Sequence, residues 1–336
     1  MKIIKHFGYI AVVLLSLPIF SSCHNKVDLI EEGHDIPVVY GFIDLADTAQ
    51  YLRVMRVFGE EDKSALKLAK TAEEIYYNDA EVSLSWADNV NSVLLTKVDG
   101  NKEGYKRDTG ALLEAPNYLY KIKTDALNLK GGESLILHIR RQGAEIGKSK
   151  INVLRPFSIR TPSDLEVTWH GRAPLSIKWL STPFAKVYDV KLVFHISEHN
   201  LSNGDWSNRE LSWVAIRGQR RRGGSRLYER ASITSGDMYR YLSGVLTEDR
   251  NIERVMTGLD ITVYAGGQEF VDFQQVLLAN IGLTGALELP LFSNIDGGLG
   301  VFAGKYHVET KGHLLSGASI DSLRMNRLTS KLNFTK

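Results

Sequence analysis

Residues 81–86, Glu-Val-Ser-Leu-Ser-Trp, alternate polar and apolar side chains at every position. Because successive side chains of a β-strand point to opposite faces of a sheet, this pattern predicts a strand that buries Val82, Leu84 and Trp86 and turns the residues between them outward. Similar alternation recurs at 118–122, 135–139, 165–169, 175–179 and 259–263. Many short strands separated by turn residues are typical of antiparallel β-sandwiches, so the sequence predicts a mainly β protein.

Two segments interrupt the strand pattern. In residues 64–74 apolar side chains recur at helical spacing, and residues 238–246 do the same behind a capping Thr234 or Ser235, so both predict short helices. A chain of 336 residues exceeds what one core usually organises, and prolines at 156 and 162 mark a boundary. We therefore predict two tandem antiparallel β-sandwich domains, at 37–155 and 156–336. Trp179 followed by the strand 188–190, Tyr-Asp-Val, resembles fibronectin type III domains.

The overall charge argues against nucleic-acid binding. The chain has 41 Lys and Arg against 39 Asp and Glu, which gives a formal net charge of +2. A balance this even supplies no global field that would attract a polyanion. Hydrophobic residues make up 43% and charged residues 24%, as expected of a folded protein.

The N-terminus has the composition of an export signal. Lys2 and Lys5 precede an uncharged, mostly apolar run at 8–20, which is too short to span a bilayer. Residues 20–23, Phe-Ser-Ser-Cys, resemble a bacterial lipobox, although Phe20 departs from the usual leucine. The sequence thus predicts a signal peptide at 1–22, palmitate-type lipidation of Cys23 and a polar tether at 23–36. The alternative is a secreted protein with a free thiol; since Cys23 is the only cysteine, lipidation explains it better.

Three segments resemble a family of uncharacterised outer-membrane lipoproteins of Bacteroidota, the domain-of-unknown-function family 4249. They are residues 37–42 together with 51–53, residues 75–77, and residues 291–302, Leu-Phe-Ser-Asn-Ile-Asp-Gly-Gly-Leu-Gly-Val-Phe. The resemblance implies an outer-membrane lipoprotein, in some cases encoded near a TonB-dependent receptor. It brings no catalytic residue with it. Residues 24–26 lack the acidic cluster associated with surface export, so the sequence does not indicate whether the protein faces the periplasm or the cell surface.

His195, Glu198 and His199 spell H-x-x-E-H, the inverted signature of zinc proteases. That chemistry needs a helix, where residues four apart share a face and reach one metal. Here the motif ends a strand-like run, which would place the two histidines ~13 Å apart at ~3.3 Å per residue. We therefore predict no metal at these residues.

Residues 298–303, Gly-Leu-Gly-Val-Phe-Ala, satisfy the dinucleotide pattern G-x-G-x-x-A. A cofactor site would require a strand before the glycines and a helix after them. The sequence instead predicts a loop followed by a strand, so the glycines are interpreted as serving a tight turn or close backbone packing, with no cofactor.

Arginines cluster around glycines in the segment 217–226, which predicts a basic, flexible hairpin tip for phosphate or acidic-partner contact, or else a solvated loop. They are Arg217, Arg220, Arg221, Arg222 and Arg226. Two three-residue matches, at 47–49 and 321–323, resemble the O-glycosylation motif of exported Bacteroidota proteins. They make Thr48 and Ser322 possible glycosylation sites.

No catalytic motif meets its geometric requirement, so the predicted function is not enzymatic. We expect an outer-membrane lipoprotein that binds a ligand or assists a receptor, with a TonB-dependent receptor as the candidate partner. The alternatives are an exported hydrolase that uses a metal at His195, Glu198 and His199, and a structural or adhesion component of the envelope.

Overall fold

The computed structural model describes residues 36–57, 64–86, 92–110, 112–222, 227–281 and 292–336. Its first half contains β1 (Pro37–Asp44), β2 (Ala49–Arg56), α1 (Ala65–Leu68), α2 (Ala72–Ile75), β3 (Ala80–Trp86), β4 (Ser92–Leu94), β5 (Thr96–Asp99), β6 (Tyr118–Lys123), α3 (Thr124–Leu127), β7 (Ser134–Arg141) and β8 (Ala144–Asn152). The mainly β prediction is confirmed.

The second half has longer strands. It contains β9 (Ile159–Thr161), β10 (Glu166–Val167), β11 (Leu175–Leu180), β12 (Val187–Asn200), β13 (Trp206–Arg220), β14 (Tyr228–Ile233), α4 (Ser235–Val245), β15 (Ile252–Gly266), α5 (Gln268–Ile281), β16 (Leu299–Leu315), α6 (Gly317–Met325) and β17 (Phe334–Thr335). No helix among the described residues is long and apolar enough to cross a membrane.

These strands form three sheets. The large sheet has the order β13-β12-β15-β16-β1-β2-β6-β5, with β10 and β17 added beside β16 and β15. A four-stranded sheet has the order β4-β3-β7-β8, and a three-stranded sheet the order β14-β11-β9. Most neighbours are antiparallel, as predicted. Strand β16, however, runs parallel to β1 and to β10, and β15 runs parallel to β17.

Both small sheets pack against the same face of the large one. Phe302 belongs to the core beneath the four-stranded sheet, while Tyr306 and Val308 pack against the core beneath the three-stranded sheet. All three are on β16 and separated by even numbers of residues, so they share one face of that strand. We call the two clusters the N-terminal core and the C-terminal core.

The predicted boundary at 155–156 falls close to the division between these cores. Residues 39–153 supply nearly all of the N-terminal core, and residues 154–334 supply the C-terminal core. One hydrogen-bonded sheet nevertheless crosses the boundary, because β1 pairs with β16 from Val38–Leu299 to Asp44–Lys305. The two predicted domains therefore share a sheet instead of standing as separate tandem modules, and residues 35–336 form one compact unit.

The predicted helices are present with one difference. Helix α4 begins after Thr234, whose side chain accepts from the backbone N–H of Asp237 while Asp237 reaches back to the Thr234 backbone N–H, a capping box. The helix predicted at 64–74 is instead two single turns, α1 and α2, because Thr71 adopts an extended backbone between them.

The opposite face of the large sheet is the outer face. Along β1, Tyr40 and Phe42 point to this side and meet the first turns of α5: Phe42 lies 5.9 Å from Phe270 and Tyr40 lies 6.5 Å from Phe273, between ring centroids. Helix α5 thus covers the centre of the outer face. Beside it, β13, β12, β15 and β16 carry mostly polar side chains on this face.

Candidate functional site: a pocket on the outer face

A pocket of about 410 Å³ opens on the outer face beside the first turn of α5. Its floor is apolar and comes from three strands and the helix: Val187, Val214, Ala265, Gly266 and Phe270. Gly266 lies close to two other lining residues: a Cβ on it would be 2.9 Å from the Phe270 ring and 3.1 Å from Val187. The glycine therefore makes room for the ring that forms one wall.

The polar rim of the pocket consists of Asp189, Lys191, Tyr264 and Lys305. Strand alternation places them together: Tyr264 is the cross-strand partner of Asp189 on one side and of His307 on the other. Asp189 already accepts a hydrogen bond from the backbone N–H of Gly218 at 2.6 Å. Lys191 makes no ion pair with any described residue, so its ammonium group is available to a ligand.

The hydroxyl group of Tyr264, on the rim, is protonated and neutral at neutral pH. Burial raises the pKa of its phenol, and the negative charges of Glu309, Asp44 and Asp47 raise that pKa further. The ring of Tyr264 also lies 5.5 Å from the imidazole of His307. At neutral pH Tyr264 can therefore donate a hydrogen bond to an acceptor in the pocket.

A compact acid–base cluster borders the rim. The carboxylate of the fully buried Asp44 lies 2.8 Å from Nδ1 of His307 and 3.7 Å from the Lys305 ammonium group, which is 4.0 Å from Asp47. Burial raises the pKa of Asp47, and the adjacent Asp44 charge adds to the effect. Asp44, Asp47 and His307 bring one ligand atom each within 4.8 Å of the others, an arrangement that could hold a cation. Lys305 already supplies a positive charge there.

The H-x-x-E-H residues lie on strand β12, as predicted, and each has a different partner. His195 Nε2 is 2.8 Å from Asp260, Glu198 accepts from the buried Arg254 at 2.8 Å, and His199 stacks on Trp206. Since His195 and Glu198 are three residues apart on one strand, they point to opposite faces. The geometry does not bring the three motif residues to one point.

The glycines of the pattern at 298–303 serve close backbone packing. Gly300 has φ +104°, and a Cβ there would lie 2.0 Å from the carbonyl oxygen of Val39. A Cβ on Gly298 would lie 2.7 Å from the carbonyl oxygen of Pro37. These glycines let the loop enter β16 directly against β1, and a strand rather than a helix follows them, so the interpretation as close backbone packing is confirmed.

The arginine segment is not a hairpin tip. Arg217 and Arg220 belong to β13 in the large sheet, whereas the next strand, β14, belongs to the three-stranded sheet, so β13 and β14 do not form a hairpin. Arg221 is held there by a hydrogen bond from its Nε to Ser181 Oγ at 2.9 Å. Arg217, Arg220 and Arg222 are exposed. Arg226 lies outside the described residues.

The remaining predicted sites are the two possible glycosylation sites, Thr48 and Ser322, and the predicted lipidation site, Cys23. Thr48 is exposed in the turn between β1 and β2. Ser322 is half-buried on α6, and its hydroxyl lies 2.7 Å from the hydroxyl of Tyr239. Cys23, the predicted signal peptide at 1–22 and most of the predicted tether at 23–36 lie outside the described residues.

No protein-family model and no curated protein matches this chain. Among solved structures, a chain of a cytokine receptor complex is similar over 84% of this chain and 99% of that chain, with 9% identity and a TM-score of 0.23. The FN1–FN3 domains of chicken CNTN1 are similar over 69% of this chain and 60% of that chain, with 10% identity and a TM-score of 0.17. Scores this low do not establish a shared fold, so the architecture rests on its own strand pairing.

Proposed function

We propose that the mature chain is a lipid-anchored outer-membrane protein that works by binding a small ligand in the outer-face pocket. The observation that carries the proposal is the combination of an apolar floor with a rim of Lys191, Lys305 and Tyr264, beside Asp189, whose carboxylate already accepts from the Gly218 backbone N–H. Pockets of roughly 300–1,000 Å³ with apolar walls and a few convergent polar groups are the usual form of small-molecule sites.

The rim chemistry favours a ligand with an apolar body and an anionic head. Lys191 can pair with the anion, and the neutral hydroxyl of Tyr264 can donate to it. Lys305 contributes less because Asp44 and Asp47 are close to it. The apolar part would rest on Phe270 and Val214, where its burial is favourable.

A titration with anilinonaphthalenesulfonate tests the pocket, because this fluorescent probe has a flat apolar body and a sulfonate. We expect one saturable site per chain, weakened about tenfold or more by Lys191→Ala, since a charge-assisted bond contributes about 1.5–3 kcal/mol. Val214→Arg should block the floor. Lys311→Ala, an exposed lysine on the same face, is the control and should bind as the wild type. Unchanged binding in both pocket variants would refute the site.

The proposed membrane attachment would favour a role beside a receptor. A lipid on Cys23 would confine the protein near the bilayer and raise its effective concentration for neighbours there. We propose a TonB-dependent receptor as the partner, with the exposed Arg217, Arg220 and Arg222 as the contact. Affinity capture from detergent-solubilised membranes should recover the receptor with the wild type and with Arg324→Ser, and much less of it with all three arginines changed to serine. Equal recovery with the triple variant would exclude this contact.

The metal-hydrolase alternative through His195, Glu198 and His199 is not proposed, because those side chains have separate partners on two faces of a strand. A structural or adhesion role is the outcome to accept if neither the probe nor a receptor binds.

A further inference from the structure

Three side chains on the four-stranded sheet form a continuous hydrogen-bonded chain. Ser85 Oγ lies 2.8 Å from Nε2 of His138, and Nδ1 of His138 lies 2.5 Å from Oε2 of Glu145. Ser85 is on β3, His138 on β7 and Glu145 on β8, so three adjacent strands hold them. None of these residues belongs to a predicted site, and the outer-face pocket does not include them.

The chain lies on the side of its sheet away from the N-terminal core. On β3 and β7 the neighbouring residues Leu84, Leu137 and Ile139 point into that core, so Ser85 and His138 point away from it. A register shift beside Ile139 brings Glu145 onto the same side. Ser85 is 4% exposed and His138 8%, whereas the Glu145 side chain is 34% exposed. The network thus reaches the surface at its acidic end.

The partners determine where the protons sit. A carboxylate can only accept, so Glu145 fixes the Nδ1–H tautomer of His138 and leaves the Nε2 lone pair to accept from the Ser85 hydroxyl. Burial alone would raise the pKa of Glu145, but the hydrogen bond and charge of His138, with Lys148 and Arg140, outweigh it and lower that pKa. Glu145 is therefore ionised at neutral pH.

This order of groups is the one that activates a serine hydroxyl. A base that is hydrogen-bonded to the hydroxyl can take its proton during attack, and an acid behind the base holds the imidazole in the required orientation. The same three roles recur on unrelated folds and are recognised by geometry rather than by a sequence motif.

We propose that Ser85 is the nucleophile of an acyl-transfer site, with His138 as its general base and Glu145 as the positioning residue. The substrate class is a small ester with an apolar acyl group. Ile136 is the cross-strand neighbour of Ser85 on β7, and Leu94, 63% exposed, is the cross-strand neighbour of Ser83 on β4. Both apolar side chains lie on the same side of the sheet as the Ser85 hydroxyl.

In the reaction, Ser85 Oγ forms a bond to the ester carbonyl carbon as its proton passes to His138 Nε2. The carbon–alkoxide bond then breaks, and the alcohol leaves with the proton that His138 returns. Water repeats the sequence on the acyl-serine, which gives the carboxylic acid and restores Ser85. This inference is independent of ligand binding in the outer-face pocket.

Covalent labelling tests the proposal on the full chain in detergent. Diisopropyl fluorophosphate should phosphorylate Ser85 with loss of fluoride, and peptide mass spectrometry should find the adduct there. Ser85→Ala should abolish the adduct, while Ser83→Ala, which removes the hydroxyl two residues away on the same side of β3, should react like the wild type. His138→Ala should slow labelling by about 10²–10⁴-fold. A wild-type chain without an adduct on Ser85 would overturn the proposal, whatever the variants do.

A second readout separates positioning from folding. In Glu145→Gln the rate of labelling should fall and the midpoint of its pH profile should move to lower pH, because no carboxylate then stabilises the imidazolium. A purely structural role would change the melting temperature and leave that midpoint where it is. An unshifted midpoint with a wild-type rate would remove Glu145 from the site.

Discussion

Gly304 on β16 lies directly against the carbonyl oxygen of Asn152: a Cβ on residue 304 would be only 2.5 Å from that oxygen. Asn152 ends β8, and the chain leaving it passes over β16 between the N-terminal and C-terminal cores. The missing side chain at position 304 is what allows this crossing, so one glycine determines how closely the two halves approach.

Gly304→Ala should therefore destabilise the protein. The backbone of residues 152–154 must move to admit a methyl group, and overpacking of this kind typically costs about 1–3 kcal/mol. Urea denaturation of the two proteins measures the difference. Gly244→Ala is the matched control, since nothing lies within 4 Å of a Cβ there and the residue is on α4. That variant should be as stable as the wild type or slightly more stable. Equal stability of both variants would contradict the close crossing.

Arg254 is a buried cation whose removal should be costly. It is 1% exposed and donates to Glu198 at 2.8 Å and to the carbonyl oxygens of Leu332 and Thr247. Breaking a buried pair from one side costs about 3–5 kcal/mol, so Arg254→Ala should lower the free energy of unfolding by that amount. Arg209→Ala removes a half-buried arginine 3.8 Å from the same carboxylate and should change stability by about 0–1 kcal/mol. Chemical denaturation distinguishes the two variants.

Asp260 should contribute to stability in a pH-dependent way. Burial alone would raise its pKa, but the Gly312 backbone N–H and His195 outweigh this and lower it. A lowered folded-state pKa favours the folded protein above the unfolded value of about 3.9, and the contribution disappears as the pH falls through the lower folded value. Asp260→Asn should therefore destabilise by roughly 1–3 kcal/mol at neutral pH, with the difference narrowing in acid. Melting temperatures of the wild type and Asp260→Asn, measured from neutral to acidic pH, check this. A difference between the two proteins that does not change with pH would contradict it. Asp164→Asn, at an exposed position, is the control.

The proposed lipid anchor predicts that Cys23→Ala abolishes acylation and releases the protein from membranes, because the chain has no other thiol. Incorporation of a labelled fatty acid measures this directly. Ser22→Ala keeps a small residue before the cysteine and should still be acylated. Label on the Cys23→Ala protein would rule out thioether attachment at this residue.

Local periodicity predicted the parts of the fold that depend on neighbouring residues. Val82 and Leu84 are fully buried as their alternation required, whereas Trp86 at the end of the strand is half-buried. Helix α4 begins at the cap that Thr234 offers. The strand setting of His195 and His199 followed from the same alternation. Such features need only the side-chain pattern of one element, which the sequence contains.

Relationships between distant elements could not be predicted. The alternation predicts that Ser85 faces outward, yet it is buried, and its hydroxyl is hydrogen-bonded there to His138 on another strand. Lys191, Tyr264 and Lys305 form one rim only after β12, β15 and β16 become neighbours in a particular register. Because these polar residues alternate with apolar ones along their strands, the sequence could have identified the outer face. No local pattern, however, specifies which strands pair.

The parallel pairing of β1 with β16 has a consequence for the order in which the protein can be assembled. Asp44 and His307, at the end of this pairing, are 263 positions apart in sequence. A ribosome delivers β1 early and β16 late, so the N-terminal core lacks the wall containing Phe302 until translation is almost complete. Contacts this remote slow folding because a very long loop must close first. The early strands therefore spend most of synthesis with one flank unpaired, and the nascent chain depends on being shielded from aggregation during that time.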